Sequence, residues 1–289
     1  MTANKKSQYL LFAIITLCSF FNAGNSNIYI QVNFIFLSIL LIYCLKNKNY
    51  LAHLKLFFND NKISIYYFFA FLTYLILQLV PVPFEFLKII SNEKYLFLKA
   101  IGYESGFFAL SFSPSNSFFE MINYLSIFIF ILLIKMVFYN ERHVYRFYYF
   151  ITLLGAIHAF LAVLIYLNGN PDILFLDNSS YRKSSTGFFT NRTVFSIFLL
   201  FCLICGLEYI KNVDIYKYYK KKDNFFNKIY VRIFIIFITI GIITSFSKIG
   251  NFLMLLTVFL YLINNLYAKK NINKIFTLIL IFIILLDIF

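Results

Sequence analysis

The chain has 289 residues, 61% of them hydrophobic and only 13% charged, with 26 lysines and arginines against 12 acids for a formal net charge of +14. Length alone would suit about two soluble domains, but the composition overrules that prior: apolar runs of about 20 residues recur between short polar breaks, the length a helix needs to cross roughly 30 Å of hydrocarbon. Backbone inside lipid must satisfy its own hydrogen bonds, so runs this long exclude barrel strands and predict an all-α fold, a polytopic membrane helix bundle forming a single transmembrane domain over 1–289.

The expected spans number about nine and lie near 8–23, 28–45, 62–80, 117–139, 144–167, 188–210, 230–246, 249–267 and 274–289. Lys5 and Lys6 precede the first, and no small-residue cleavage site follows it, so this helix is expected to stay in the protein with the N-terminus cytoplasmic. Every second break is then basic: Lys46, Lys48, Lys55 and Lys62; Lys135, Arg142 and Arg146; Lys217, Lys220, Lys221, Lys222 and Lys228; Lys269, Lys270 and Lys274. The intervening breaks are uncharged (24–27), balanced (Glu85, Lys88, Glu93, Lys94, Lys99 and Glu104; then Asp172, Asp177, Arg182 and Lys183) or hold the lone Lys248. The positive-inside rule places Arg182, Arg192 and Lys248 on the outer side. Because topology accounts for the lysines, nucleic acid is set aside as a partner and membrane lipids surround the chain. Tryptophan is absent, leaving the 23 tyrosines and 40 phenylalanines to form any interfacial belt.

Pro81 and Pro83 end the third span. Beyond them Phe84, Leu87, Ile89 or Ile90, Leu98 and Ile101 recur at roughly helical spacing among charges, which fits either a helix lying on the membrane surface or a loop with a few buried anchors. After Leu110 to Pro114, Ser115 or Ser117 is the expected cap of the fourth span. His158 lies within the fifth span, where an ionisable side chain is a functional hypothesis by default; with no second ionisable group beside it, interhelical packing is the alternative. Glu208 and Lys211 are spaced for an ion pair. Cys18, Cys44, Cys202 and Cys205 fall within apolar runs and read as small packing residues rather than as a redox or metal site.

The stretch 178–196 sits between two long apolar runs and holds Arg182 and Arg192. Burying such a charge at a helix centre costs about 2.5 to 3.5 kcal/mol on insertion scales, so both belong near an interface or against a partner. They either snorkel to lipid headgroups or clamp an anionic group.

The end of the third span at Gln78 to Pro83, Leu110-Ser111 to Pro114, Ser185 to Arg192 with its Gly-x-Phe-x-Asn-Arg element, and Ser245 to Gly250 together resemble the O-antigen ligase and O-antigen polymerase superfamily of bacterial inner-membrane glycosyltransferases. The resemblance implies transfer of a glycan from undecaprenyl pyrophosphate to an acceptor hydroxyl on the periplasmic face, without a metal or other cofactor. In the ligases the acceptor is the lipid A core; in the polymerases it is another carrier-linked repeat unit. Arg192 would bring a planar fork to the pyrophosphate, where leaving-group charge develops, with Arg182, Lys248 and Asn191 as further substrate-binding residues and Asn191 capping the sixth span. Two departures stand out. Ser247-Lys248 replaces the family's common Ser-Arg, giving a point charge for a fork.

The family's general-base histidine sits in a large periplasmic loop and is expected beyond Phe289. His53 and His143 fall on the cytoplasmic side and His158 within a span, leaving Glu85, Glu93, Glu104, Glu120, Asp172 and Asp177 as the carboxylates near the outer side. On that reading the 289 residues form the N-terminal part of such an enzyme, truncated before the loop and later helices and inactive by itself. A transporter would be expected to show broken spans, an internal repeat or paired midplane charges, none of which is evident; a non-catalytic remnant is the other alternative.

Overall fold

The apolar runs fold as helices. The computed structural model describes residues 3–21, 26–171, 183–212 and 221–267, and in these it has eleven helices and a two-stranded sheet. In chain order they are α1 (Ala3–Phe20), α2 (Asn27–Leu45), α3 (Lys48–Asp60), α4 (Lys62–Leu79), β1 (Pro81–Pro83), α5 (Phe84–Ile90), α6 (Asn92–Ala100), β2 (Phe107–Ala109), α7 (Pro114–Val137), α8 (Glu141–Leu167), α9 (Arg192–Asn212), α10 (Lys221–Thr244) and α11 (Lys248–Tyr267). Six of these helices, α2, α4, α7, α8, α9 and α10, are long and apolar enough to cross a membrane. Two further expected spans coincide with α1, whose first turns are polar, and α11, while 274–289 lies outside the described residues.

Packing divides the chain into two compact units, Met1–Ile14 with Gly24–Tyr139 and Ile15–Ala23 with Asn140–Phe289. In the first, α7 is the common partner of α2, α3 and α4. Aromatic rings fill the α4–α7 seam: Phe68 stacks on Phe128 with centroids 3.9 Å apart and on Tyr124 at 4.7 Å. The residues between 46 and 62, expected to be a loop, instead contain α3. Asn47 caps it by accepting from the Asn49 N–H at 3.0 Å, Tyr50 is buried, and His53 stacks on Tyr139 at 4.0 Å. Thirteen residues are too few to span, but Tyr50, Leu54 and Phe57 at helical spacing give α3 a face to lay on α7.

Between α4 and α7, where the sequence fits one surface helix or a loop with buried anchors, two short helices fold back on each other. The break is at Ser91, whose φ of −146° and ψ of 76° are not helical, and the strands at either end close the excursion, Val82 opposite Phe108 in antiparallel register. Phe84, Leu87 and Leu98 turn inward to a small core with Val82, Tyr95, Phe108 and Leu110 around it, whereas Ile89, Ile90 and Ile101 point outward. Pro114 opens α7 after Ser113, not after Ser115 or Ser117. Ser117 pairs its hydroxyl with that of Ser111 at 2.6 Å, and the Ser111 N–H donates to the Gln78 carbonyl at 3.0 Å, so the base of the excursion is pinned to the last turn of α4.

In the second unit α8, α9 and α10 pack on one another, and α11 packs on α9 and α10. The expected Glu208–Lys211 ion pair forms at 3.5 Å. All four cysteines are free thiols. Cys202 lies against Gly155, where a methyl group would come within 2.4 Å of its Cβ, so this helix contact is one of small residues meeting, a common device between apolar helices.

Candidate functional site

The site grows from the way α8 ends. Its last turn is closed by Gly169 (φ 81°) and Asn170 (φ 51°), the left-handed termination that satisfies otherwise orphaned carbonyls. The Asn170 side-chain amide then donates to the Ser184 carbonyl at 2.8 Å, fixing where the returning chain arrives. From Ser184 to Phe189 that chain is irregular, yet Ser184, Ser185, Thr186 and Phe189 are buried. Irregular backbone of this kind needs protein, not lipid, around it. The Ser185 N–H finds the Thr244 carbonyl at the end of α10 at 2.9 Å, and the Phe189 N–H donates to Thr186 at 3.1 Å.

Gly187, Phe189 and Asn191 of the Gly-x-Phe-x-Asn-Arg element each have a physical task here. Gly187 sits at φ 56°, and a Cβ on it would be 2.9 Å from the Ala162 side chain, so only glycine lets the loop lie against α8 in this conformation. Phe189 anchors the loop, its ring 5.4 Å from Phe195 and 5.1 Å from Phe198. Asn191 accepts from the Thr193 N–H at 2.7 Å, the helix cap expected from sequence, a contact worth about 1 kcal/mol. Arg192 is the first residue of α9 and is exposed.

A second helix start lies beside the first. Ser245 accepts from the Ser247 N–H at 3.3 Å, Phe246 takes a left-handed turn at φ 49°, and Ser247 accepts from the Gly250 N–H at 3.2 Å, capping α11. Lys248, exposed, is the first residue of α11. The two starts touch: the Ser247 hydroxyl donates to Thr193 Oγ1 at 3.5 Å, and a Cβ on Gly250 would come within 2.4 Å of Ser196 Oγ.

The structure therefore brings Asn191, Arg192 and Lys248 to one end of the second unit. Arg182 lies outside the described residues. Thr193, Ser196 and Ser247 complete the arrangement and were not foreseen, although the run of Ser and Thr around both motifs was the available signal. Among the described residues neither Arg192 nor Lys248 makes an ion pair.

His158 lies under the loop as a packing residue. Ser19 donates to the Thr16 carbonyl at 2.9 Å, so its oxygen accepts Nε2–H from the imidazole, also at 2.9 Å. The ring is flanked by Phe20 at 4.2 Å and by Phe188, Phe189 and Phe198. It thus joins the end of α1 to the buried loop.

Helix N-termini carry unpaired N–H groups and the positive end of the macrodipole, and an anion at such an end needs no further device. Here two such ends stand together, each beginning with a cation, and the caps occupy only the Thr193 and Gly250 N–H groups. That constellation suits a group with several anionic oxygens. Among the described residues no three His, Cys, Asp or Glu side chains gather as a metal site would require. Comparison with protein-family models, curated proteins and solved structures returned no match for this chain.

Proposed function

We propose that the paired starts of α9 and α11 hold the pyrophosphate of a lipid-linked glycan, and that the chain belongs to the O-antigen ligase and polymerase superfamily, contributing the donor site for transfer of a glycan from undecaprenyl pyrophosphate to the lipid A core. The observation that carries this reading is the contact between the two capped helix starts, Ser247 to Thr193 at 3.5 Å, with Arg192 just before Thr193 and Lys248 just after Ser247. Breaking the sugar–pyrophosphate bond leaves charge on the departing phosphate, and fixed donors can stabilise it where no metal does. Arg192 brings the fork, Lys248 the point charge and the two helices their dipoles.

Deleting the gene from its bacterial host should leave glycan accumulating on the lipid carrier and lipopolysaccharide ending at the core, with restoration by the intact gene. Core carrying single repeat units instead would assign the polymerase reaction, and unchanged lipopolysaccharide would end the proposal.

The reading includes an orientation with the N-terminus in the cytoplasm of the inner membrane and the site on the periplasmic side, supported by the alternation of basic breaks. In a chain lacking its native cysteines, single cysteines at the exposed positions Ser115, Thr190 and Lys248 should react with an impermeant thiol reagent in intact cells, and one at Lys55 should not. Labelling at Lys55 without labelling at Thr190 would invert the topology and remove the donor site from the periplasm.

A further inference from the structure

The short helix α5 has two apolar faces, and the described residues cover only one of them. Phe84 and Leu87 point into the small core between the strands. Phe86, Ile89 and Ile90, spaced three and four residues apart, form a second stripe that the described chain leaves uncovered, with Ile89 83% exposed. Glu85 and Lys88 occupy a third face between them, since residues three apart share a side of a helix. Leu96 and Phe97 on α6 are also exposed. Contiguous apolar surface of this kind marks an interaction site.

The occupant follows from where the excursion is tied. Only Val80 separates α4 from β1, and only 110–113 separate β2 from α7. Both neighbouring helices are long and apolar enough to cross a membrane, and the Ser111–Gln78 hydrogen bond holds the two attachments together. The excursion is therefore held within a few residues of the boundary at which α4 leaves lipid and α7 enters it. Its exposed charges, Glu85, Lys88, Glu93, Lys99 and Glu104, are nearly balanced, so attraction to anionic headgroups adds little. We propose that α5 lies in the bilayer interface with Phe86, Ile89 and Ile90 inserted among the acyl chains, a seat that depends on apolar burial and not on lipid charge. The seat fixes the height of the ends of α4 and α7 relative to the lipid.

The chain contains no tryptophan, so Ile89→Trp makes a single reporter. In the full chain reconstituted into phosphatidylcholine vesicles, Ile89→Trp should emit to the blue and be quenched by lipids brominated on their acyl chains. Lys88→Trp, on the charged face, should emit as in water and be quenched about half as much or less. Replacing part of the phosphatidylcholine with phosphatidylglycerol should change neither. Phe86→Trp, a conservative aromatic change, repeats the measurement should the first variant fold poorly. Emission from both inserted positions that is water-like, or blue but unquenched as under a protein partner, would overturn the proposal, as would quenching seen only with anionic lipid.

Discussion

Arg192→Ala should weaken binding of undecaprenyl pyrophosphate by roughly tenfold to a hundredfold. A hydrogen bond to a charged group contributes about 1.5 to 3 kcal/mol, and that range converts to such factors. Arg192 is exposed, where an ion pair is worth little, so the full effect requires the lipid-linked phosphate to exclude water as it docks. Arg192→Lys should lie between, because the charge remains and the two-pronged geometry does not. Lys248→Ala should cost less than Arg192→Ala, and Lys248→Arg should match or exceed the wild type. If both side chains hold one pyrophosphate, the double alanine variant should fall short of the product of the single effects. The measurement is titration of the purified chain in nanodiscs with undecaprenyl pyrophosphate, the monophosphate and the free alcohol. The pyrophosphate should bind tightest and lose most on Arg192→Ala. Unchanged affinity in a variant that folds normally would leave Arg192 as a side chain that merely snorkels to headgroups.

The parts of this protein that sequence reveals are those set by local rules. Span length follows from bilayer thickness, which is why the expected spans from 8 to 267 overlay eight helices. Asn191 was readable as a cap because a cap depends only on its own next residues. What escaped depends on partners far along the chain. The pairing of Thr193 with Ser247 joins residues 54 apart; the Ser and Thr around each motif signal polar contacts but not which residue meets which. Phe246 turns left-handed without the glycine or asparagine that would have signalled a turn. α3 was passed over because its apolar face becomes worth forming only when α7 is there to receive it. In the excursion, the spacing of the apolar residues between 84 and 101 fits one surface helix or a loop with buried anchors; the bend at Ser91, marked by neither Gly nor Pro, divides them between an inner core and an outer stripe.

Lys94→Met should loosen that excursion by about 1 to 3 kcal/mol while leaving the spanning helices in place. The lysine is buried, unusual for its type. The register accounts for it: Phe84 donates to the Gly106 carbonyl at 2.9 Å, so Val82 and Phe108 form the hydrogen-bonded pair while Pro81 and Pro83 occupy the alternate, non-bonded positions of the ladder. Proline is tolerated there for that reason, and the carbonyl of Ala109, at a non-bonded position, faces away from β1, while that of Ser111 follows just beyond the strand. The Lys94 ammonium donates to both and lies 5.6 Å from the Phe112 ring centroid. Methionine matches the stem in length but abandons two carbonyls.

Two effects oppose each other in that substitution. Burial lowers the Lys94 pKa below its ordinary 10.5, a sign that the carbonyls do not fully replace water around the charge, and methionine escapes this penalty. The abandoned carbonyls should decide the outcome near neutral pH. Because the unfolded lysine holds its proton to higher pH than the folded one, wild-type stability should rise as pH climbs through the lowered value toward 10.5. The methionine variant has no such gain, so the gap between the two should widen over that window. Hydrogen exchange of the amides between 84 and 110, corrected for intrinsic rate, reads both effects. Equal or greater protection in Lys94→Met at neutral pH would show that the buried ammonium is not what holds this edge together, and a gap that narrows as pH rises would show that the carbonyls outweigh the burial and raise the lysine's pKa.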